Sequence, residues 1–489
     1  MTEKTIFELS RPNRKGIRFP APDVPLAELP KDFLRENLPL PEVPENEVVR
    51  HFTNISQLNH SVDNGFYPLG SCTMKYNPKI NEETARLPGF AHIHPLQPVE
   101  TVQGALGLMY ETQQWLGEIS GFDAVSLQPA AGAHGELTGV LIIRAYHESR
   151  GDTKRTKMLV PDSAHGTNPA SSAMSGLEIV QLTSDKQGNI DLKALEAECD
   201  DTLAGIMITN PNTLGLFDEN IVEACQLVHD HGGLVYGDGA NMIALLGVYK
   251  PAETGIDVMH FNLHKTFSTP HGGGGPGSGP VGVTKELAEF LPSPVVAMTS
   301  EEDEQNPAFY DLLVPEKSIG RVKSFHGHFG IVVRAFTYMI CLGKNGLLGV
   351  STHAVLNANY IQARVKDVYH IPYERLCMHE FVTEAKWEDA PGIRALDISK
   401  RLIDFGFHPP TNYFPLIVHE ALMIEPTETE TMETLDAFAD ALLQIADEAK
   451  NNPDILHNAP TNAPFGRFDE VKAAKDLILR TQLPENYGS

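Results

Sequence analysis

Cysteine is scarce in this sequence. Five occur in 489 residues, at positions 72, 199, 225, 341 and 377, and no two form a Cys-x-x-Cys pair. That spacing excludes a disulfide framework and a zinc knuckle, and it fits a reducing cytoplasm. Positive charge is also short: 38 Lys and Arg stand against 64 Asp and Glu, a net charge of −26. So acidic a surface repels nucleic acid and anionic membrane, and neither is expected as a partner. Long apolar runs are missing. The best stretch, residues 330–343, is interrupted by Arg334, and it falls short of the ~20 residues that cross a bilayer. The opening Thr2-Glu3-Lys4 carries no apolar signal core.

What is present is enough apolar residue (42%) for a large core, with room for two domains and an arm. The first fifty residues are dense in proline (positions 12, 20, 22, 25, 30, 39, 41 and 44) yet hold Phe7, Phe19, Leu26, Leu29 and Phe33. Proline at this density prevents a regular helix or central strand. The segment therefore reads as an extended arm laid over another surface. From about residue 100 helical periodicity appears over 104–121 and 135–150. Short β-rich runs come next, at Met158-Leu-Val, Ile179-Val-Gln-Leu, Ile206-Met-Ile, Leu234-Val-Tyr and Val258-Met-His-Phe, separated by helical or turn-rich stretches. Strands alternating with helices predict an α/β fold with a mainly parallel sheet and right-handed crossovers. Past residue 340 the texture becomes α+β, with strands near 379–382 and 421–425 and helices near 392–405 and 432–451. The expected division is an N-terminal arm and motif (1–80), a large α/β domain (81–340) and a small C-terminal α+β domain (341–489).

Ligands on parallel sheets sit beyond the carboxyl ends of the strands, so polar residues just after each strand are the candidates for chemistry. Lys265 follows an apolar strand and precedes the run Gly272–Gly275. A lysine held there can form an imine with an aldehyde cofactor, and the glycines allow a tight turn beside a bulky ligand. Asp238, at the end of the preceding strand, can keep a pyridine nitrogen protonated, and Gly239 and Ala240 leave room for a flat ring. Gly132-Ala133-His134 opens a helix, whose free N–H groups can cradle a phosphate. No P-loop or dinucleotide spacing is present. His165, after the next strand, can stack on a ring, and the loop from Thr209 to Asn212 can reach a phenolic oxygen. Taken singly, several of these are compatible with plain turns or helix caps.

Phosphate cradle, stacking histidine, polar loop, ring aspartate and imine lysine succeed one another in chain order. That order resembles the aspartate-aminotransferase-type (fold type I) pyridoxal-phosphate enzymes. Two longer stretches narrow the likeness: residues 65–78, Gly-Phe-Tyr-Pro-Leu-Gly-Ser-Cys-Thr-Met-Lys-Tyr-Asn-Pro, and residues 261–276, Phe-Asn-Leu-His-Lys-Thr-Phe-Ser-Thr-Pro-His-Gly-Gly-Gly-Gly-Pro. Together with Ile6-Phe-Glu-Leu-Ser-Arg-Pro they are similar to the glycine decarboxylase P-protein family. The length matches the half-size form, split into two homologous subunits, and the chain resembles subunit 2, the one that keeps the lysine.

The resemblance implies pyridoxal 5'-phosphate as cofactor and Lys265, Asp238 and His165 as catalytic residues. It implies cofactor contacts from Gly132, Ala133, His134, Ala240, Asn262 and His264, with Thr209 or Asn212 at the phenolic oxygen. It further implies glycine as substrate, a lipoylated H-protein as acceptor of the aminomethyl group, and a subunit 1 partner in a two-plus-two heterotetramer in the cytoplasm. Tyr67, Ser71, Cys72, Thr73 and Lys75 form a motif too polar for a core strand and are expected at the mouth of the site. A free cysteine such as Cys72 is also compatible with simple burial. Two other readings fit parts of the pattern. One is a different pyridoxal enzyme, such as a cysteine desulfurase or an amino-acid decarboxylase. The other is a scaffold subunit without catalysis, which would have no need for both Lys265 and Asp238.

Overall fold

The computed structural model describes residues 3–35, 38, 40–271, 277–303, 306–480 and 483. It falls into two compact units, residues 65–460 and residues 1–64 with 461–489. The larger unit is built on a seven-stranded sheet. Its strands are β1 (Ala124–Ser126), β2 (Lys157–Pro161), β3 (Glu178–Leu182), β4 (Leu203–Thr209), β5 (Leu234–Gly239), β6 (Val258–Phe261) and β7 (Val281–Val283), in the order β1-β7-β6-β5-β4-β2-β3. Strands β6, β5, β4, β2 and β3 run parallel, and β7 is antiparallel to both its neighbours. The five β-rich runs of the sequence are those five parallel strands. The flanking β1 and β7, Ala-Val-Ser and Val-Gly-Val, span three residues each, too short to show a period.

Every residue of β4 is buried, as expected for a strand covered by helices on both faces. The register of the central strands sets the polar residues at their ends. Thr209 pairs with Asp238, and Asp238 pairs with His260. Three polar residues therefore stand in one row at the carboxyl ends of three adjacent strands, about 4.8 Å apart.

Further along the chain come a hairpin of β8 (Val295–Ser300) and β9 (Phe309–Leu313) and a three-stranded sheet of β10 (Phe381–Glu384), β11 (Thr411–Asn412) and β12 (Ala421–Ile424), in the order β10-β12-β11. Helix Met432–Asn451 occupies the residues its periodicity predicts. Helix Phe329–Val365 is much longer than its apolar run and is long and apolar enough to cross a membrane by length and composition. It is not one straight rod, however, because Gly343 breaks it with φ 58° and ψ −173°. Its residues up to Ala354 join the core beneath the large sheet, and from Ala358 onward they join the core beneath the small one.

In the smaller unit the prolines have the expected effect. Among the described residues before Glu45 the only helices are Ile6–Leu9, held by a Thr5–Glu8 capping box, and one 3-10 turn at Lys31–Phe33. The extended chain leaves Phe19, Leu26 and Phe33 80–85% exposed.

Candidate active site

Helix Gly132–Ser149 begins against the end of β6. A Cβ at position 132 would lie 2.4 Å from Asn262 Oδ1, and one at 135 would lie 2.7 Å from His260 Cβ. Only glycine lets the helix start approach that closely. Its N-cap, Ala131, has no side-chain cap, so its first N–H groups face a cavity of about 200 Å³. Gly132, Ala133, His165, Thr209, Asp238, Ala240, Asn262, His264 and Lys265 all line this cavity. The chain thus gathers at one place nine residues expected from strand ends and helix starts. His134 and Asn212 are not in the lining. His134 turns its ring back to accept from the Ala130 N–H at 3.1 Å. Asn212 donates to Gly188 O at 2.7 Å and accepts from the backbone of Leu214 and Leu216, tying its own loop. Of the two candidates for a phenolic oxygen, Thr209 is the one at the cavity, and its buried hydroxyl has no partner.

Lys265 donates to Ser71 O at 2.8 Å. Asp238 is 4% exposed. Its Oδ1 accepts from the Ala240 N–H at 2.9 Å and lies 3.5 Å from His260 Nε2. Asn168, turned so that its amide nitrogen faces the carboxylates, donates to Asp238 Oδ2 at 3.1 Å and to Glu136 Oε2 at 3.0 Å. The opposite orientation would set its oxygen against the Asp238 carboxylate, which can only accept. His260 is pinned between the Tyr236 hydroxyl and Asn262. His264 Nδ1 accepts from the Ser278 N–H at 3.2 Å, so its proton sits on Nε2, free to donate. Burial, then the neighbouring His271 and Lys265, push His264 down to about 3. His165 shares its Nδ1 with the Thr167 hydroxyl at 2.9 Å and meets the edge of Phe414. The run Gly272–Gly275, expected to turn beside the ligand, lies outside the described residues.

Sequence reasoning passed over Glu136, Asn168 and His260. Glu136 lies past the first turn of its helix, and nothing local distinguishes a buried glutamate there from an exposed one. Here Glu136 is 5% exposed. Burial, then the charge of Asp238, push its carboxyl from an ordinary 4.5 up to about 8. A carboxyl raised in this way keeps its proton in the folded state where the unfolded chain has lost it. Stability is therefore lost as pH rises from the ordinary range through 8. The buried histidines are pushed the other way, below 6.5, and their effect is confined to pH below that value. Between pH 6.5 and 8 the raised groups govern: Glu136 together with the buried Glu380 and Glu425, and His229, which its hydrogen bond to Asp257 raises. Cofactor-free protein is expected to melt lower at pH 8 than at 6.5, with Glu136 contributing on the order of 1–2 kcal/mol. E136Q stays neutral and should narrow the gap; an unchanged gap in thermal melts would refute the assignment.

The 65–78 motif divides. Ser71 lines the cavity. Tyr67 stacks on His408 with ring centroids 3.8 Å apart. Ser71 and Thr73 adopt φ of 63° and 48° on either side of Cys72, each at a cost of about 1–3 kcal/mol for a residue with a side chain. Lys75 departs from expectation: it is 3% exposed and is not at the mouth. It donates to Glu428 Oε1 at 2.6 Å, Thr266 O at 3.0 Å and Tyr338 OH at 3.2 Å. Burial opposes its charge, but Glu428 and Tyr338 outweigh burial and raise its pKa. K75M should leave the largely enclosed Glu428 carboxylate without its ion pair, with the Tyr338 hydroxyl still donating to it, at a cost of roughly 3–5 kcal/mol by denaturant titration. A loss under 1 kcal/mol would mean that the pair is not a structural tie.

Residues 139–291 match the family described as aminotransferase class-V, and residues 350–464 match glycine dehydrogenase, C-terminal domain. The chain is 58% identical over 480 residues to "Probable glycine dehydrogenase (decarboxylating) subunit 2" of Caldanaerobacter subterraneus subsp. tengcongensis, covering 97% of this chain and 98% of that one. It is 56% identical over 485 residues to the protein of the same name from Alkaliphilus oremlandii, with 98% of both chains covered. In fold it is similar to the crystal structure of a glycine decarboxylase (P-protein) of the glycine cleavage system in inhibitor-bound form. The TM-score is 0.73 at 21% identity, over 85% of this chain and 93% of that one. The likeness extends to a cysteine desulfurase from Thermococcus onnurineus NA1, with TM-score 0.60 at 14% identity over 79% of this chain and 95% of that one. At that identity it speaks to the fold alone, a mainly parallel fold type I architecture.

Proposed function

The chain belongs to the family of glycine dehydrogenase (decarboxylating) subunit 2, and from that premise we propose that it decarboxylates glycine with pyridoxal phosphate and passes the aminomethyl group to the lipoyl arm of an H-protein. The observation that carries the reading is the placing of Lys265 and Asp238 in one cavity together with an uncapped helix start. These residues fit the cofactor. Lys265 is the amine that would hold its aldehyde carbon, and the N–H groups of Gly132 and Ala133 with His264 Nε2–H would receive its phosphate. The unpartnered Thr209 hydroxyl would meet its phenolic oxygen, and His165 would lie over its ring. The bound cofactor supplies an electron sink for the bond that breaks. Asp238 does its part by staying an acceptor toward a protonated ring nitrogen, and Asn168 and the Ala240 N–H hold its carboxylate in place. Lys265, when free, is the group placed to move a proton at the substrate carbon.

A desulfurase needs a sulfur-accepting thiol on a mobile loop. Of the two cysteines after Lys265, Cys377 is buried and Cys341 lies on helix Phe329–Val365. A subunit 2 works with a partner subunit. The exposed Phe19, Leu26 and Phe33 of the extended arm support a partner surface that covers them, and we propose a homologous subunit 1 for it, in a two-plus-two assembly in the cytoplasm. The test is exchange of labelled bicarbonate into glycine with both subunits and lipoylated H-protein present. Exchange dependent on all three supports the reading. None, despite bound cofactor, would overturn glycine as substrate and return another amino acid to consideration.

A further inference from the structure

Two carboxyl groups behind the cavity hold the turn that carries Ser71. Strands β10 and β12 run antiparallel with Phe381 opposite Ile424, so Glu380 and Glu425 continue that register by one residue and stand side by side. Both are fully buried. Glu380 Oε2 accepts from the Ser71 N–H at 2.6 Å. Glu425 accepts from the Thr73 N–H at 2.9 Å and from the Thr73 hydroxyl at 2.5 Å. His379, also buried, has no partner on either ring nitrogen, and its Nε2 lies 3.8 Å from Glu380 Oε1 and 4.0 Å from Glu425 Oε1. Two adjacent carboxyls without water cannot both ionise readily. Burial first, then Glu425, push Glu380 well above its ordinary range, and burial pushes Glu425 up to about 7.

The turn they grip would not keep its shape alone. Ser71 and Thr73 are both left-handed, a conformation that a β-branched residue avoids unless its surroundings impose it. The backbone carbonyl between these two anchors is the one that accepts the Lys265 amine. We propose that Glu380 and Glu425 are positioning residues for Lys265: they hold the strained Ser71–Thr73 turn so that the Ser71 carbonyl receives the lysine amine whenever that amine is not bonded to cofactor. An acceptor fixed in advance requires no rearrangement when the amine arrives. The inference deepens the function proposed above and rests on Lys265 being the cofactor lysine.

Cys72, in the middle of the turn, reports on it. In cofactor-free protein, with thiol labelling mapped to Cys72 by mass spectrometry, E380A and E425A should label roughly tenfold faster or more as the turn opens locally. E380Q and E425Q keep an acceptor oxygen for the turn and should return to near the wild-type rate. In the loaded enzyme with its partner, the alanine variants should lose kcat for exchange with the KM for glycine little changed, and the glutamine variants should recover it. Wild-type labelling rates in folded alanine variants would overturn the clamp, as would glutamine variants that fail to recover. Faster labelling with unchanged exchange would overturn its bearing on Lys265. If the alanine variants do not fold, T73A, which removes one hydrogen bond to Glu425, decides: faster labelling of Cys72 supports the clamp and an unchanged rate overturns it. Wild type that shows the labelling pattern but no glycine exchange would count against the proposed function and leave the clamp standing.

Discussion

K265A is expected to reduce glycine–bicarbonate exchange to background, a loss on the order of a thousandfold or more. Lys265 is the only lysine lining the cavity among the described residues, and the nearby Lys75 is fully engaged by Glu428, Thr266 and Tyr338. No second amine among the described residues is therefore placed to substitute for it. The companion variant K265R separates charge from chemistry. Guanidinium keeps the positive charge facing Ser71 O but is not a nucleophile at neutral pH, so it should be as inactive as alanine. Exchange is the first measurement. The second is the visible absorbance that develops when cofactor is added and the excess removed, which should be absent from both variants. K265A with more than a tenth of wild-type exchange would remove Lys265 from the reaction.

D238N is expected to lose about 10²–10³-fold in kcat, the usual cost of deleting one preorganised electrostatic partner from a dry site. The substitution keeps the shape of the side chain and one oxygen for the Ala240 N–H. It discards the negative charge and sets an amide against Asn168, which now donates to Asp238 Oδ2. Cofactor should also dissociate more readily, read as loss of absorbance on dialysis. A further consequence concerns Glu136, which is raised partly by the charge of Asp238. In D238N that cause is gone, so the difference in melting between pH 6.5 and 8 should shrink there too. Near wild-type exchange in D238N would sink its role at the ring nitrogen.

Much of this arrangement is legible in the sequence because it is local. Each of the three central strands is a short apolar run with its polar residue at its end or a few positions beyond, so Thr209, Asp238 and Lys265 are found by asking what comes after the run. The uncapped glycine start at Gly132 is legible for the same reason, as is helix Met432–Asn451 from its periodicity. What was missed was short or distant. Strands β1 and β7 pair with partners more than 150 positions away or lie beyond an aperiodic loop, and three residues carry no pattern.

The sequence alone determined which residues end each strand and in what order the chain presents them, since strand propensity and turn chemistry act over a few neighbours. Only the tertiary structure decided which of them share a row, because register is a property of paired strands: Thr209, Asp238 and His260 meet through two separate pairings. It also decided which charges are buried. Lys75 meets Glu428 across 353 positions, and Ser71 meets Glu380 across 309. A carboxylate or ammonium survives without water only where a partner waits, and no local pattern of residues reports on a partner so far along the chain.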